Sequence, residues 1–214
     1  MLSAARIVAL HDRQTVVWHL AETGNSAESN ASREVGENWL GAVARQHRAN
    51  FDLWHIEDEA RAPGVTDGEL AEVKRRIDRT NQLRNDLAEE LDRILIAWLE
   101  PQALPDPNSP LNSESPGLII DRLSILALKI YHTREEAART DAPPGHGSRN
   151  RDRLAILEQQ RADLSSCLDN LWRETVTGTR QFKLYRQLKM YNDPSLNPSI
   201  YRNLPGQIPV EPER

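Results

Sequence analysis

Residues 66–98 read TDGELAEVKRRIDRTNQLRNDLAEELDRILIAW and form one long helical pattern. Apolar side chains recur every three or four residues, which predicts an amphipathic helix. We expect it to begin with a capping box between Thr66 and Glu69 and to end at Pro101. The positions of its apolar stripe are Leu70, Val73, Ile77, Thr80, Arg84, Leu87, Leu91, Ile94 and Trp98. Arg84 therefore stands where a leucine is expected.

Arg84 predicts a polar cluster inside a helical core. At roughly 100° per residue, its side chain points within about 20° of the centre of the apolar stripe. A guanidinium keeps its charge, so burying it requires an anionic partner or a bound anion. The pattern leaves open whether the cluster is a structural ion network or a working site. Asn81, one turn earlier, lies close enough to the same stripe to belong to the cluster.

Helical periodicity dominates the rest of the chain, and strand signals are nearly absent. The sequence predicts an all-α fold: a single-domain bundle of five to six helices, with helices 2 to 5 long. The domain is expected to span 1–202, and the proline-rich tail 203–214 to be disordered. The other helices are predicted over about Leu2–Glu22, Glu37–Arg61, Pro116–Arg139, Asn150–Gly178 and Thr179–Tyr191, with loops at Thr23–Gly36 and 101–116.

The predicted fourth helix, with Ser115 as its N-cap, is apolar on two opposite sides. Its main stripe is Ile119, Leu123, Leu126 and Ile130, and the second set is Leu118, Ile125 and Leu128. A helix of this kind is typical of the centre of a bundle. Asp121 and His132 project on the second side, and Arg122 and Lys129 form a neighbouring pair. Such charged groups need partners in a central helix, and Asp121 is the expected bidentate partner of Arg84.

The predicted second helix places polar side chains on or beside its apolar stripe. His47 lies on the stripe, and His55 lies at its edge, three residues before Asp58. His55 and Asp58 can touch, as a general base with its orienting carboxylate, as two metal ligands, or as an inter-helix hydrogen-bond pair. His47, His55 and His132 can converge in principle, but their spacing is not diagnostic of a metal. We therefore predict no metal site and assign neither a cofactor nor a catalytic residue.

Composition narrows the class of protein. A net charge of −5 and 28% charged residues give no reason to expect a nucleic-acid partner. Cys167 is the single cysteine, which precludes an internal disulfide and fits a reducing compartment; we expect its thiol to be buried. No secretory signal and no membrane span is visible, so we expect a cytoplasmic protein.

Three segments taken together resemble a bacterial family of chains of similar length, catalogued as a domain of unknown function. The resemblance spans about 36–200. Its members look like helical proteins often encoded near glycosyltransferases of cell-surface polysaccharide synthesis, so the resemblance implies a setting but no catalytic residues. The matching positions are Asn50, Leu53-Trp54-His55, Glu57-Asp58 and Ala60-Arg61, then Asp78, Asn81-Gln82 and Arg84-Asn85-Asp86, then Ser113 to Gly117, Asp121 to Leu126 and Leu128 to His132.

Three functions remain open. The first is a ligand-binding or accessory protein of envelope glycan synthesis, whose ligand is an anionic small molecule or nucleotide sugar, and whose partner is a glycosyltransferase or a second copy. Its candidate site comprises His55, Asp58, Asn81, Arg84, Asp121, Arg122 and His132. The second is a metal-dependent nucleotide or nucleotide-sugar phosphohydrolase, with Mg²⁺ held among Glu57, Asp58, Glu89 and Asp92. The third is a protein-interaction scaffold with a purely structural polar cluster.

Overall fold

Five α-helices make up the regular structure of the described chain. The computed structural model describes residues 2–22, 39–186, 188 and 196. Within these residues the helices are α1 (Ala4–Glu22), α2 (Trp39–Glu59), α3 (Asp67–Leu99), α4 (Pro116–Ala138) and α5 (His146–Val176), with a short 3-10 turn at Glu100–Gln102. The predicted all-α bundle is confirmed. The predicted loop Thr23–Gly36 and the tail 203–214 lie outside the described residues.

The ends of α3 follow the local sequence signals. Thr66 Oγ1 accepts a hydrogen bond from the Glu69 backbone N–H at 3.3 Å. Glu69 Oε2 accepts one from the Thr66 backbone N–H at 2.9 Å, which completes the capping box. The helix ends at Leu99, two residues before Pro101, where a proline cannot donate the next helical hydrogen bond. Both ends were therefore predictable from residues within one turn.

Helix α4 is the centre of the bundle. It packs against α1, α2, α3 and α5. Its main stripe is buried, with Ile119, Leu123 and Ile130 at most 3% exposed. On the other side Leu128 is 1% exposed, whereas Leu118 and Ile125 are half-buried. The predicted N-cap is also present, because Ser115 Oγ accepts from the Leu118 N–H at 3.4 Å. The central position of α4 brings Asp121 and His132 next to α2 and α3.

The start of α4 is fixed against α3 by a close backbone approach. Asp92, only 3% exposed, accepts a hydrogen bond from the Gly117 N–H at 2.7 Å. A side chain at position 117 would overlap the carbonyl oxygen of Ala88, so only glycine allows this spacing. Burial raises the pKa of Asp92 to about 6, and the hydrogen bonds from Ser115 and Gly117 oppose that rise. Asp92 thus acts as a structural anchor for the N-terminus of α4.

The predicted sixth helix is wrong over 179–186, the part that the structure describes without a gap. Helix α5 ends at Val176, and Gly178 follows with a φ of 73°, a left-handed conformation that stops a helix at low cost. The chain then runs beside the proline-rich segment: Gln181 N–H donates to Pro110 O at 3.0 Å, and Asn112 N–H donates to Gln181 O at 2.7 Å. These long-range hydrogen bonds replace the helical ones.

Two further observations concern the environment of Cys167 and the apolarity of the helices. The prediction of a buried Cys167 is wrong, since its thiol is exposed on α5. Helix α5 packs mainly on α4 and leaves most of its other sides to solvent, so a leucine-flanked position can still face outward. Among the described helices, none is both long enough and apolar enough to cross a membrane.

Candidate functional site

A cavity of about 500 Å³ lies beside α2, α3 and α4. Its volume is in the range of small-molecule sites. Part of its wall is apolar, from Leu53, Trp54, Ile125 and Leu128. The remaining wall residues are polar or charged: Asn50, Glu57, Asp58, Arg61 and Arg84. An apolar surface with a few convergent polar groups is the usual composition of a ligand site.

Arg84 lies at the wall of this cavity, with its charge only partly compensated. Its Nε is 3.7 Å from Asp121 Oδ1, which is an ion pair but too long for a hydrogen bond. Nε is buried and has no hydrogen-bond partner among the described residues. The side chain is 25% exposed. The exposed part of the side chain therefore lines a cavity that can hold an anion, while the buried Nε has only the long ion pair with Asp121.

Asp121, the ion-pair partner of Arg84, is bonded more closely by two amides of α2. Its Oδ1 accepts hydrogen bonds from Gln46 Nε2 at 2.6 Å and from Asn50 Nδ2 at 2.9 Å. Burial raises the pKa of Asp121, while the charge of Arg84 and the two amide donors lower it. The amides occupy the carboxylate oxygen nearest to Arg84. The predicted pairing of Arg84 with Asp121 is present, but not in the bidentate geometry.

The outer part of the cavity carries both signs of charge. Arg61 is exposed and forms an ion pair with Glu57 at 2.8 Å. Asp58, also exposed, lines the same cavity. Because Arg61 already has a carboxylate partner, Arg84 is the cation with the larger unmet demand for an acceptor. The carboxylates of Glu57 and Asp58 can accept hydrogen bonds from hydroxyl groups.

His55 and His132 lie behind the cavity wall. The ring of His132 stacks on Trp54 with centroids 4.8 Å apart and planes inclined by 11°. His55 Nδ1 lies 2.9 Å from Phe51 O, and His132 Nδ1 lies 3.1 Å from Glu135 Oε2. Burial is the largest cause of the lowered pKa of His132, and the neighbouring His19 lowers it further. Trp54 is thus shared between the cavity and His132.

His19 is the residue that sequence reasoning missed. A ligand nitrogen from each of His19, His55 and His132 lies within 4.8 Å of the others. The only sequence signal was the four-residue spacing of His11, Thr15 and His19 along α1. That spacing does not reveal which helix the face will meet.

His47 lies in a different polar cluster, between α1 and α4. Its Nδ1 is 2.7 Å from Ser124 Oγ, and its Nε2 is 3.0 Å from Thr15 Oγ1. Its ring stacks on that of His11 at 4.4 Å. Burial lowers the pKa of His47 to about 3, and the hydrogen bond with the His11 carbonyl opposes this shift. Both histidines are 0% exposed, so this is an internal hydrogen-bond cluster closed to solvent.

Of the predicted site residues, Asp58 and Arg84 line the cavity, and Asn81 and Arg122 are the two whose place remains to be given. Asn81 is half-buried, and its Oδ1 has no hydrogen-bond partner among the described residues. Arg122 is exposed and bidentate to Glu114, at 2.9 and 2.7 Å. Arg122 lines a second cavity with Lys129 and residues of α5. The structure therefore brings Arg84, Asp121 and Asp58 to one place, His55 and His132 to the layer behind it, and Arg122 elsewhere.

The carboxylates of the phosphohydrolase hypothesis do not gather. Asp92 is bonded to the start of α4, whereas Glu57 faces Arg61 at the cavity. In the described part of the chain, the one group of three or more metal-type ligands is the histidine trio. A magnesium site built from Glu57, Asp58, Glu89 and Asp92 therefore has no geometric support.

Comparison with known proteins gives one match. The family described as "Protein of unknown function (DUF4254)" matches residues 40–184, which include most of α2 and all of α3, α4 and α5. The matched region contains the whole cavity wall, whereas His19 lies before it. No curated protein and no solved structure matches the chain.

Proposed function

This chain belongs to that family of unknown function, and we propose from its geometry that it is a ligand-binding protein. Its cavity between α2, α3 and α4 would hold a small anionic molecule. The single observation that carries the proposal is Arg84: a permanent cation at the cavity wall, with a buried Nε that has no hydrogen-bond partner in the described chain. A phosphate or carboxylate in the cavity would supply a counter-charge to this cation, which has one long ion pair to Asp121. An arginine fork is well suited to both groups.

The rest of the cavity favours a ligand with more than an anionic group. Trp54, Leu53 and Ile125 offer an apolar surface for a flat or apolar ring. Asn50 and Asp58 offer acceptors for hydroxyl groups. Phosphate, hydroxyls and a ring occur together in nucleotide sugars. The resemblance implies a setting of envelope glycan synthesis. This setting makes nucleotide sugars the first ligands to test, and it makes an accessory role to a glycosyltransferase the corresponding function.

The two alternatives have less support. A purely structural cluster calls for Arg84 to be fully paired with no cavity beside it, whereas Arg84 has one long ion pair and lines a cavity of about 500 Å³. A magnesium-dependent phosphohydrolase calls for converging carboxylates. Asp92 is instead committed to the N-terminus of α4. Neither alternative accounts for the unpaired donor of Arg84.

The test is thermal melting with inorganic phosphate, pyrophosphate, nucleoside diphosphates and nucleotide sugars, for wild type, Arg84→Met and Arg122→Met. A ligand at a hundred times its Kd stabilises by about 2.7 kcal/mol, or a shift of about 5–10 °C in Tm for a domain of this size. We expect this shift in wild type and Arg122→Met, and its loss in Arg84→Met. Arg122 is the matched control because its carboxylate partner lies away from the cavity.

Two results would overturn the proposal. One is the absence of a shift with every phosphate-bearing compound in wild type. The other is an equal shift in wild type and Arg84→Met, which would place the ligand elsewhere. A nucleotide sugar that shifts the Tm more than its nucleoside diphosphate would support the glycan setting, and equal shifts would limit the ligand to the shared diphosphate.

A further inference from the structure

We propose that His19, His55 and His132 form a binding site for a divalent transition metal of the zinc type. The three residues come from α1, α2 and α4, and their ligand nitrogens lie within 4.8 Å of one another. The site is separate from the anion cavity, which shares only the Trp54 wall with it. It therefore does not depend on the ligand proposed for Arg84.

The orientation of the three rings is that of metal ligands. In each ring, Nδ1 faces an oxygen: Thr15 O at 2.7 Å for His19, Phe51 O at 2.9 Å for His55, and Glu135 Oε2 at 3.1 Å for His132. A carbonyl or carboxylate oxygen only accepts, so Nδ1 carries the proton and Nε2 carries the lone pair. Metal-binding histidines commonly donate their outer N–H to such oxygens.

The inner nitrogens of His19 and His132 lack hydrogen-bond partners among the described residues. Nε2 of His19 and Nε2 of His132 are buried and have no hydrogen-bond partner among the described residues. Leaving a buried polar atom unsatisfied costs about 1–3 kcal/mol. A metal ion would satisfy both lone pairs at once, and His55 would offer it a third ligand nitrogen. Two unsatisfied nitrogens that approach each other from different helices are unlike an ordinary structural hydrogen-bond cluster.

Aromatic neighbours hold the rings in place. His19 stacks on Tyr131 with centroids 4.3 Å apart and planes at 15°, and His132 stacks on Trp54. Tetrahedral zinc with Zn–N bonds of about 2.0–2.1 Å requires nitrogens about 3.3–3.4 Å apart. The nitrogens lie within 4.8 Å of one another, so the widest pair would close by up to about 1.4 Å on binding. Because the stacked rings already have restricted orientations, metal binding loses less side-chain conformational entropy.

The ligand chemistry selects the metal class. Imidazole nitrogen suits Zn²⁺, Cu²⁺, Co²⁺ and Ni²⁺, whereas Mg²⁺ and Ca²⁺ prefer oxygen ligands. Three protein ligands leave a fourth position for water or another molecule, as in zinc sites that remain open. The geometry thus points to an open three-histidine site and not to a closed structural one.

The first experiment titrates untagged, metal-free protein with Co²⁺ and then displaces it with Zn²⁺. We expect one equivalent of Co²⁺ to bind and to give the visible absorption of a four-coordinate nitrogen site, which Zn²⁺ then removes. His19→Gln, His55→Gln and His132→Gln should each weaken binding by more than about 100-fold, since even the loss of an outer partner costs about 10–100-fold. His146→Gln is the control, because His146 pairs with Glu136 at the start of α5, away from the trio.

A second experiment does not depend on the folding of variants. In wild type, the ¹⁵N resonances of the histidine rings report protonation and coordination. We expect Zn²⁺ to shift Nε2 of His19, His55 and His132 and to leave Nδ1 protonated. Wild type that binds no Co²⁺ or Zn²⁺, folded trio variants that bind like the control, or unshifted Nε2 signals would overturn the proposal. Arg84→Met should bind metal normally, so failure of anion binding and failure of metal binding are distinguishable.

Discussion

At the residue scale, the main feature of Arg84 is that its charge has few acceptors nearby. Its position on the α3 stripe indicated a cation inside a helical core, and the structure gives that cation one ion pair of 3.7 Å. Asp121 is held by Gln46 and Asn50 and does not need Arg84 to satisfy its inner oxygen. The sequence could indicate the cation and its carboxylate, but not that two amides from α2 would bond the same carboxylate oxygen.

Because Asp121 has amide partners besides Arg84, we expect Arg84→Met to have little effect on the free energy of unfolding. The ion pair is long and its members are 25% and 13% exposed, and Asp121 keeps both amide donors. We expect the free energy of unfolding in urea to change by less than about 1 kcal/mol. Arg161→Met, which removes two hydrogen bonds to Asp12 at 2.8 and 2.9 Å, should cost more. A loss of about 3–5 kcal/mol for Arg84→Met would indicate a structural ion pair instead.

The buried histidines predict a pH dependence. His47 stays neutral in the folded protein down to about pH 3, whereas in the unfolded chain it titrates with the ordinary histidine pKa of 6.5. As pH falls below 6.5 the unfolded chain binds a proton that the folded protein does not, so stability is lost. At its steepest, this histidine lowers the free energy of unfolding by about 1.4 kcal/mol for each unit that the pH falls. Burial also lowers the pKa of His11, which acts in the same direction.

The measurement is urea unfolding of wild type and His47→Gln at about pH 7, 6 and 5. The difference in stability between them should shrink as pH falls, by about 1.4 kcal/mol per unit at the limit. Asp92, with its pKa raised to about 6, gains stability as pH falls, but it is present in both proteins and cancels. A difference that stays constant with pH would mean that His47 titrates normally in the fold.

At the element scale, helix ends were predictable where the signals are local. Thr66, Glu69, Ser115 and Pro116 set the starts of α3 and α4 through contacts within one turn. The sixth helix failed because Gln181 gains hydrogen bonds to a segment far earlier in the chain, including Gln181 Nε2 to Ser109 O at 2.6 Å, 72 residues away in sequence. Helical periodicity carries no information about such a distant acceptor.

The α3–α4 contact gives a prediction at this scale. Gly117→Ala would push its methyl group into the Ala88 carbonyl and the Asp92 carboxylate. Overpacking of this kind costs about 1–3 kcal/mol, which urea unfolding would detect. Gly68→Ala is the control, because nothing lies within 4 Å of its added methyl and the first turn of α3 should gain about 0.4–1 kcal/mol. Equal effects of the two substitutions would show that the helices do not approach so closely.

At the scale of the whole molecule, the central position of α4 follows from its two apolar sides, and both candidate sites follow from α4. One side places Asp121 against α2 and near Arg84. Further along, His132 meets His55 and His19. The all-α class and the central helix were predictable from periodicity. The histidine trio was not, because it depends on how α1 packs against α2 and α4.

The most direct test of the central claim observes Arg84 itself. The Nε–H resonance of Arg84 can be assigned by its loss in Arg84→Met and followed during titration with uridine diphosphate. If the cavity supplies an anion to Arg84, this resonance shifts in a saturable manner and exchanges its proton more slowly, while the Arg122 Nε–H, held near Glu114, does not move. A saturating titration in which the Arg84 resonance stays unchanged, or moves no more than that of Arg122, would contradict the assignment of Arg84 as the anion-binding group.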